Sequence, residues 1–285
     1  ARSEFDATLG KRFPLRVLVA EDVPVNQQMM KVMLGRMGYA ADFADNGIEV
    51  LRALERRHYD VIFMDMHMPE MDGLECARVI RARVWERPLA IVALTANVST
   101  EDAQKCRAAG MDGFLTKPVK PIDLHRSLEE WGRRLDRPPG SPATPPSGTP
   151  KPNGTPPAPE PVAAAEPDPT LIDQVTLDDL RDLDAGEPGL LQSFIDGFRQ
   201  AVAEHLPLFR QVVAAGDGEE LRQLAHRLRG TAANVGAGAV AGRCAALERL
   251  GQAGDLGAAP PLIEELEQRF HQTIGAFTEL GVVKL

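Results

Sequence analysis

Two hydrophobic patterns alternate over the first half of the chain, and only one of them continues into the second. The runs RVLVA (16–20), YAADFA (39–44), DVIFM (60–64), LAIVAL (89–94) and GFL (113–115) are short, apolar and bounded by polar residues, which predicts strands. Between them apolar residues recur at three- and four-residue spacing, as in Met29, Met30, Met33, Leu34 and Met37, which predicts helices. Strands that alternate with helices build βαβ units, so this half predicts an α/β fold with a doubly wound, five-stranded parallel sheet. The second half keeps only the helical period, over roughly 176–184, 188–214, 218–233, 237–252 and 259–280. Short joints make neighbouring helices antiparallel, and an all-α four-helix bundle follows. Pro207 falls inside the second of these helices and predicts a kink or break there.

Composition separates the halves. Residues 137–169 hold 13 of the chain's 23 prolines and almost no large apolar side chain, so they predict a Pro-rich flexible linker with no core of its own. Stretched at ~3.1 Å per residue, that segment reaches roughly 100 Å, and the flanking domains are free to meet or stay apart. The expected division is a lead-in over 1–12, a first domain over 13–136, the linker, and a second domain over 170–285. The chain starts at Ala1 and is expected to be a piece of a longer protein.

Three dispersed cysteines, Cys76, Cys106 and Cys244, form no CxxC pair and predict neither a disulfide framework nor a zinc site. No signal peptide or membrane-spanning run is visible, so a cytoplasmic location and no membrane contact are expected. Lys plus Arg against Asp plus Glu is 20 against 21 over residues 1–136 and 10 against 17 from Pro169 onward, and neither half has the basic surface of a nucleic-acid binder.

Candidate chemistry gathers at the strand ends of the first half. Glu21 and Asp22 follow the first strand, Asp65 the third, Thr95 the fourth and Lys117 the fifth. In a doubly wound sheet these ends share one rim, beside the crevice where strand order reverses. Three carboxylates that close repel one another unless a cation lies among them, and oxygen ligands with room for water suit Mg2+. A single Asp or Thr at a strand end is ordinary capping, but five such residues, each at its own strand end, are not accounted for that way.

The motifs VLVAEDVPVNQ, VIFMDMHMPEMDG, ALTA and GFLTKP, in this order over about residues 13–135, resemble the receiver domain of bacterial two-component signalling. The resemblance implies a flavodoxin-like fold in which Asp65 accepts a phosphoryl group as an acyl phosphate. It implies Mg2+ held by Asp22, Asp65 and the backbone carbonyl of His67, with Glu21 acting through water. It further implies that Thr95 and Lys117 contact the phosphoryl oxygens, that Thr95 and Phe114 form the switch, and that Lys117–Pro118 is cis. The chain departs from the pattern at Val23, where sensor-kinase members usually carry asparagine. His67 and Asn97 occupy positions that vary in the family and adjust how long the phosphate lasts.

In the second half, AHRLRGTAANVGA (225–237) sets one histidine in an otherwise regular amphipathic helix. Leu221, Leu224, Ala225, Leu228 and Ala232 fall on one stripe, and His226 points outward, away from it. Arg222, Arg229 and Gly230 lie around it at helical spacing, which supplies positive charge and a flat surface that a partner can close over. No second catalytic group is visible in the bundle, neither a nearby Asp or Glu on the His226 face nor a metal cluster, so the imidazole is expected to be a substrate surface that relies on the partner receiver for its chemistry. His58, His67, His125, His205 and His271 are expected to be ordinary side chains. The motif resembles the signature of the histidine phosphotransfer (HPt) domain over about residues 171–281, with Arg229 where that family usually has lysine.

Together the resemblances imply the C-terminal part of a hybrid sensor histidine kinase. Asp65 would take a phosphoryl group from a phosphohistidine of an upstream kinase domain, and His226 would carry it to or from the receiver aspartate of a separate response regulator. No ATP-binding region is visible, so kinase activity from ATP alone is not expected. The sequence does not tell whether this receiver serves this histidine. Two other readings compete: adaptor modules that bind partners without phosphoryl traffic, opposed by the complete acidic set with Thr95 and Lys117, and a flavin enzyme, opposed by EDVPVNQ where a phosphate loop needs Gly, Ser or Thr.

Overall fold

A computed structural model describes residues 6–85, 87–95, 100–135, 171–186 and 188–283. The linker and Asn97 lie outside these residues. Strands β1 (Val17–Ala20), β2 (Asp42–Ala44), β3 (Val61–Asp65), β4 (Ala90–Thr95) and β5 (Gly113–Thr116) form one parallel sheet in the order β2-β1-β3-β4-β5. The order reverses between β1 and β3, which places the crevice of a doubly wound sheet at the ends of these two strands. Every residue of β1, β3 and β4 is buried, as a central parallel strand covered on both faces requires.

Helices α2 (Pro24–Arg36), α3 (Gly47–Arg56), α4 (Gly73–Arg81), α5 (Thr100–Ala108) and α6 (Pro121–Leu135) flank the sheet. Pro24 starts α2 at a position where no backbone N–H is needed, and the Asn46 and Asp72 side chains cap α3 and α4. The lead-in extends the packed domain. Residues Leu9–Arg12 form a short helix, α1, whose Leu9 is fully buried, and Gly10 N–H donates to the Met37 carbonyl at 2.9 Å.

The second half contains α7 (Gln174–Gly186), α8 (Leu190–Ala215), α9 (Gly218–Asn234), α10 (Gly238–Ala253) and α11 (Ala259–Glu279). Helix α8 is continuous through Pro207, so of the kink or break expected there no break occurs. Proline removes one backbone hydrogen bond, but Pro207 sits on the exposed side while Phe194, Phe198, Val202, Leu206 and Phe209 anchor the opposite face. Helices α9 and α10 cross closely at two glycines. A Cβ on Gly251 would lie 2.5 Å from the Gly218 carbonyl oxygen, so only glycine permits this approach.

One apolar cluster runs from the α2 side of the sheet into the bundle and joins Met29, Met33 and Val92 to Leu180, Leu183 and Phe194. A second cluster, built on Leu18, Ile62, Ile80 and Ile91, fills the other face of the sheet. The two halves are therefore packed together along α2.

Candidate functional site

Glu21, Asp65, Thr95 and Lys117 stand together at the rim of the sheet because each follows or ends a strand of the parallel sheet, the buried β1, β3 and β4 for the first three and the half-exposed β5 for Lys117. Lys117 Nζ donates to Glu21 Oε2 and to Asp65 Oδ2, both at 2.6 Å, and its backbone N–H donates to the Thr95 carbonyl at 2.7 Å. The Lys117–Pro118 bond is cis. Asp65 is 3% exposed and Glu21 is 1% exposed, so these charges interact with little screening by water. A Cβ on Gly73 would sit 2.0 Å from the Asp65 carbonyl oxygen, so glycine there lets α4 close against the end of β3.

The carboxylates show the cost of this crowding. Burial first, then the charges of Asp65 and Glu21, push the Asp22 carboxyl from 3.8 up to about 7. Glu21 is raised as well, chiefly by burial, despite Lys117. Burial works against the charged form of Lys117, but Asp65 and Glu21 outweigh it and raise its pKa. Glu21, Asp22 and Asp65 each place an oxygen so that all three lie within 4.8 Å of one another, and Asp22 Oδ1 is buried without a hydrogen-bond partner. Oxygen donors only, at these spacings, with one oxygen unused, make a cradle for a hard divalent cation.

His226 does not stand in water. It is 7% exposed, and its ring lies 4.2 Å from that of His67, centroid to centroid. Two expectations are corrected here. His67 is not an idle side chain, because the end of β3 carries it against the imidazole of the bundle. His226 is not without an acidic neighbour, because its Nδ1 pairs with Glu248 Oε1 at 2.9 Å. Arg229 reaches the other oxygen of Glu248 at 2.9 Å. Burial works to raise the Glu248 carboxyl, but the hydrogen bond from His226 and the charges of His226 and Arg229 hold it below the usual range. A carboxylate on Nδ1 favours the tautomer with its proton there and leaves Nε2 with its lone pair.

Glu248 was missed because it comes from α10, and a helix-face reading of α9 alone cannot reveal it. A signal was present, since Glu248 shares a helix face with buried Cys244 and with Gly251, where the two helices touch.

The arginines divide their work differently from the expectation. Arg222 forms an ion pair with Glu219, at 2.6 and 3.0 Å, rather than standing ready beside the imidazole. Arg227, not singled out from the sequence, points toward Asp22 at 4.0 Å. A Cβ at Gly230 would meet Asn26 Nδ2 at 3.8 Å, so Gly230 faces the receiver half at ordinary contact distance. Phe114 is 41% exposed on β5.

Further contacts close the two halves over the site. Asn234 Nδ2 donates to Asn26 Oδ1 at 2.7 Å, and Asn26 Nδ2 donates to Glu21 Oε1 at 2.7 Å, a buried chain of hydrogen bonds from the end of α9 to the acidic cluster. The Arg36 guanidinium donates to the Leu183 and Asp182 carbonyls in the last turn of α7. A cation from α2 therefore sits at the C-terminal end of α7, where the helix dipole favours positive charge.

With this geometry in place, the class follows. The chain carries a response regulator receiver domain, whose family model matches residues 17–129, followed by an Hpt domain, whose family model matches residues 193–276. Histidine kinases are among its relatives. It is 33% identical over 147 residues to Probable histidine kinase 1 of Oryza sativa subsp. indica, a match covering 41% of this chain and 15% of that protein. It is 38% identical over 134 residues to Sensor histidine kinase GacS of Pseudomonas protegens, covering 46% of this chain and 14% of that one. The chain thus spans only a small part of these curated relatives. A solved receiver domain of a Pseudomonas aeruginosa sensor histidine kinase, crystallised with magnesium in its active-site cleft, is 40% identical and covers 42% of this chain and 98% of that one, with a TM-score of 0.40. Among the described residues no helix is long and apolar enough to cross a membrane.

Proposed function

We propose that this chain is a two-station phosphorelay segment in which Asp65 receives a phosphoryl group and hands it to His226 of the same chain. The observation that carries this reading is the juxtaposition of the two residues: Asp65, His67 and His226 each offer a ligand atom within 4.8 Å of the others. The donor set of Glu21, Asp22 and Asp65, with its unpaired buried oxygen, fits Mg2+, with the His67 carbonyl as a further ligand. When bound, Mg2+ supplies positive charge against the phosphoryl oxygens.

The chain's own groups do the rest. A carboxylate oxygen of Asp65 attacks phosphorus, and the donor's imidazole leaves. The Lys117 ammonium, 2.6 Å from Asp65, is placed to pair with the transferred oxygens, and the Thr95 hydroxyl to donate to them. In the second step His226 Nε2 attacks phosphorus, the bond to the Asp65 oxygen breaks, and Asp65 regains its negative charge. Glu248 holds the Nδ1 proton and balances the charge that develops on the imidazole. The bundle therefore contributes more than a bare nucleophile.

The upstream donor is taken to be a histidine kinase domain of the full-length protein. The onward acceptor is taken to be the receiver aspartate of a response regulator, reached when the two halves part. The motion of Thr95 and Phe114 on phosphorylation belongs to the same proposal. The test uses Mg2+ and a small phosphodonor with mass spectrometry. Wild type should gain one phosphoryl mass, Asp65→Asn none, and His226→Gln should load but fail to pass the group on. Equal loading of Asp65→Asn and wild type would overturn the assignment of Asp65.

A further inference from the structure

A second set of donors lies beside the acidic cradle and differs from it in chemistry. We propose that Asp65, His67 and His226 form a transition-metal site, suited to Zn2+, that spans the two domains and, when filled, staples the closed chain. Each of the three offers one ligand atom, and these atoms lie within 4.8 Å of one another. Two further observations point the same way. His67 Nδ1 is buried and has no hydrogen-bond partner, although its ring is packed against that of His226. His226 Nδ1 is already engaged by Glu248 at 2.9 Å, which leaves Nε2 as its ligand atom. A carboxylate behind a metal-binding histidine is the usual arrangement for fixing the ring and raising its basicity, and Glu248 stands in that place.

The donor types choose the ion. Two imidazole nitrogens and one carboxylate oxygen, with water as a fourth ligand, suit Zn2+, whose Zn–N bonds are about 2.0–2.1 Å, so the donors need only draw inward by a small side-chain shift. Mg2+ prefers oxygen and octahedral geometry and belongs with the Glu21, Asp22 and Asp65 oxygens, so Asp65 is the carboxylate common to both sites. The site exists only when the domains are closed, because His226 comes from α9 and the other two donors from the end of β3. Its formation from geometry is independent of phosphoryl chemistry. Its consequence rests on the proposed function: a metal on His226 Nε2 occupies the lone pair that attacks phosphorus, so a filled site arrests transfer.

The experiment is calorimetric titration of the full chain with Zn2+ in saturating Mg2+, which keeps the oxygen cradle filled, followed by Co2+ substitution read in the visible spectrum. Wild type should bind one equivalent tightly, and His67→Ala and His226→Gln should each weaken it by roughly tenfold or more and lose the Co2+ band. Circular dichroism melts establish that both variants are folded. Zn2+ binding unchanged in both variants, no uptake by wild type, or a thiolate charge-transfer band from Co2+ would each overturn the site. In a parallel assay, Zn2+ should stop movement of phosphoryl from Asp65 to His226, and a chelator should restore it. If Zn2+ binds as described but phosphoryl never moves even in its absence, the metal site stands and the proposed function fails.

Discussion

The two faces that meet in this chain are built on opposite plans. The receiver face buries Glu21, Asp22, Asp65 and Lys117 together, so that acids and ammonium shift one another's protonation and a cation is needed to complete the set. The Hpt face presents one imidazole, fixed from behind by a single carboxylate and covered by its partner. Under the proposed function, charge neutralisation and metal belong to the first face, while tautomer and aim belong to the second. On that reading, the difference means that one apparatus serves two nucleophiles, since it acts on the phosphoryl group whichever residue holds it.

Substitutions that strike one face only will sharpen this comparison. Glu248→Ala should give the largest such effect, because a hydrogen bond to a charged group contributes about 1.5–3 kcal/mol, or roughly ten- to a hundredfold in rate. Transfer from Asp65 to His226 should slow by that factor while loading of Asp65 from a small phosphodonor is unchanged, both followed by quenched-flow mass spectrometry. Glu248→Gln, which keeps an acceptor oxygen, should restore part of the rate. Loading slowed as much as transfer would break the division of labour.

Arg36→Ala comes next. It removes the guanidinium that sits at the C-terminal end of α7 across the domain boundary and should lower the closed population and the transfer rate about tenfold. Small-angle scattering should then report a more extended chain. No change in compactness would mean that Met29, Met33, Leu180 and Leu183 hold the interface without it.

The sequence made the receiver face legible and the Hpt face only in part. Five strand runs with polar residues at their ends place Glu21, Asp22, Asp65, Thr95 and Lys117 on one rim, because a parallel sheet puts all its strand ends on the same side. The α8 helix continued through Pro207 because its buried aromatic face outweighs one lost hydrogen bond, a balance that local propensity cannot register. Glu248, Arg227 and the side-chain contact of His67 escaped notice for a shared reason: each acts on a residue of another element, and periodicity reports only on neighbours along the same one. Asn26 escaped likewise, although it links Glu21 to Asn234.

The smallest predicted effects are on stability against pH in metal-free chain. Asp22, raised from 3.8 to about 7, retains its proton in the folded state where the unfolded chain has lost it. Its contribution to stability therefore falls as pH rises from about 4 to about 7, and Asp22→Asn should remove that slope. His67, lowered from 6.5 to about 4 chiefly by burial, acts in the other direction: its contribution is lost as pH falls through the same range, and His67→Ala should remove that loss. Urea unfolding midpoints measured from acid to neutral pH for the two variants separate the slopes, and saturating Mg2+ should flatten the one due to Asp22. Variants with the pH profile of wild type would contradict the assigned causes.

The central claim is that donor and acceptor face each other within one chain. The most direct measurement loads Asp65 from a small phosphodonor, removes the donor, and follows appearance of acid-labile, base-stable phosphohistidine on His226 over a wide range of protein concentration. The account predicts first-order transfer with a rate independent of concentration. A rate proportional to concentration, or phosphate that stays on Asp65, would contradict it.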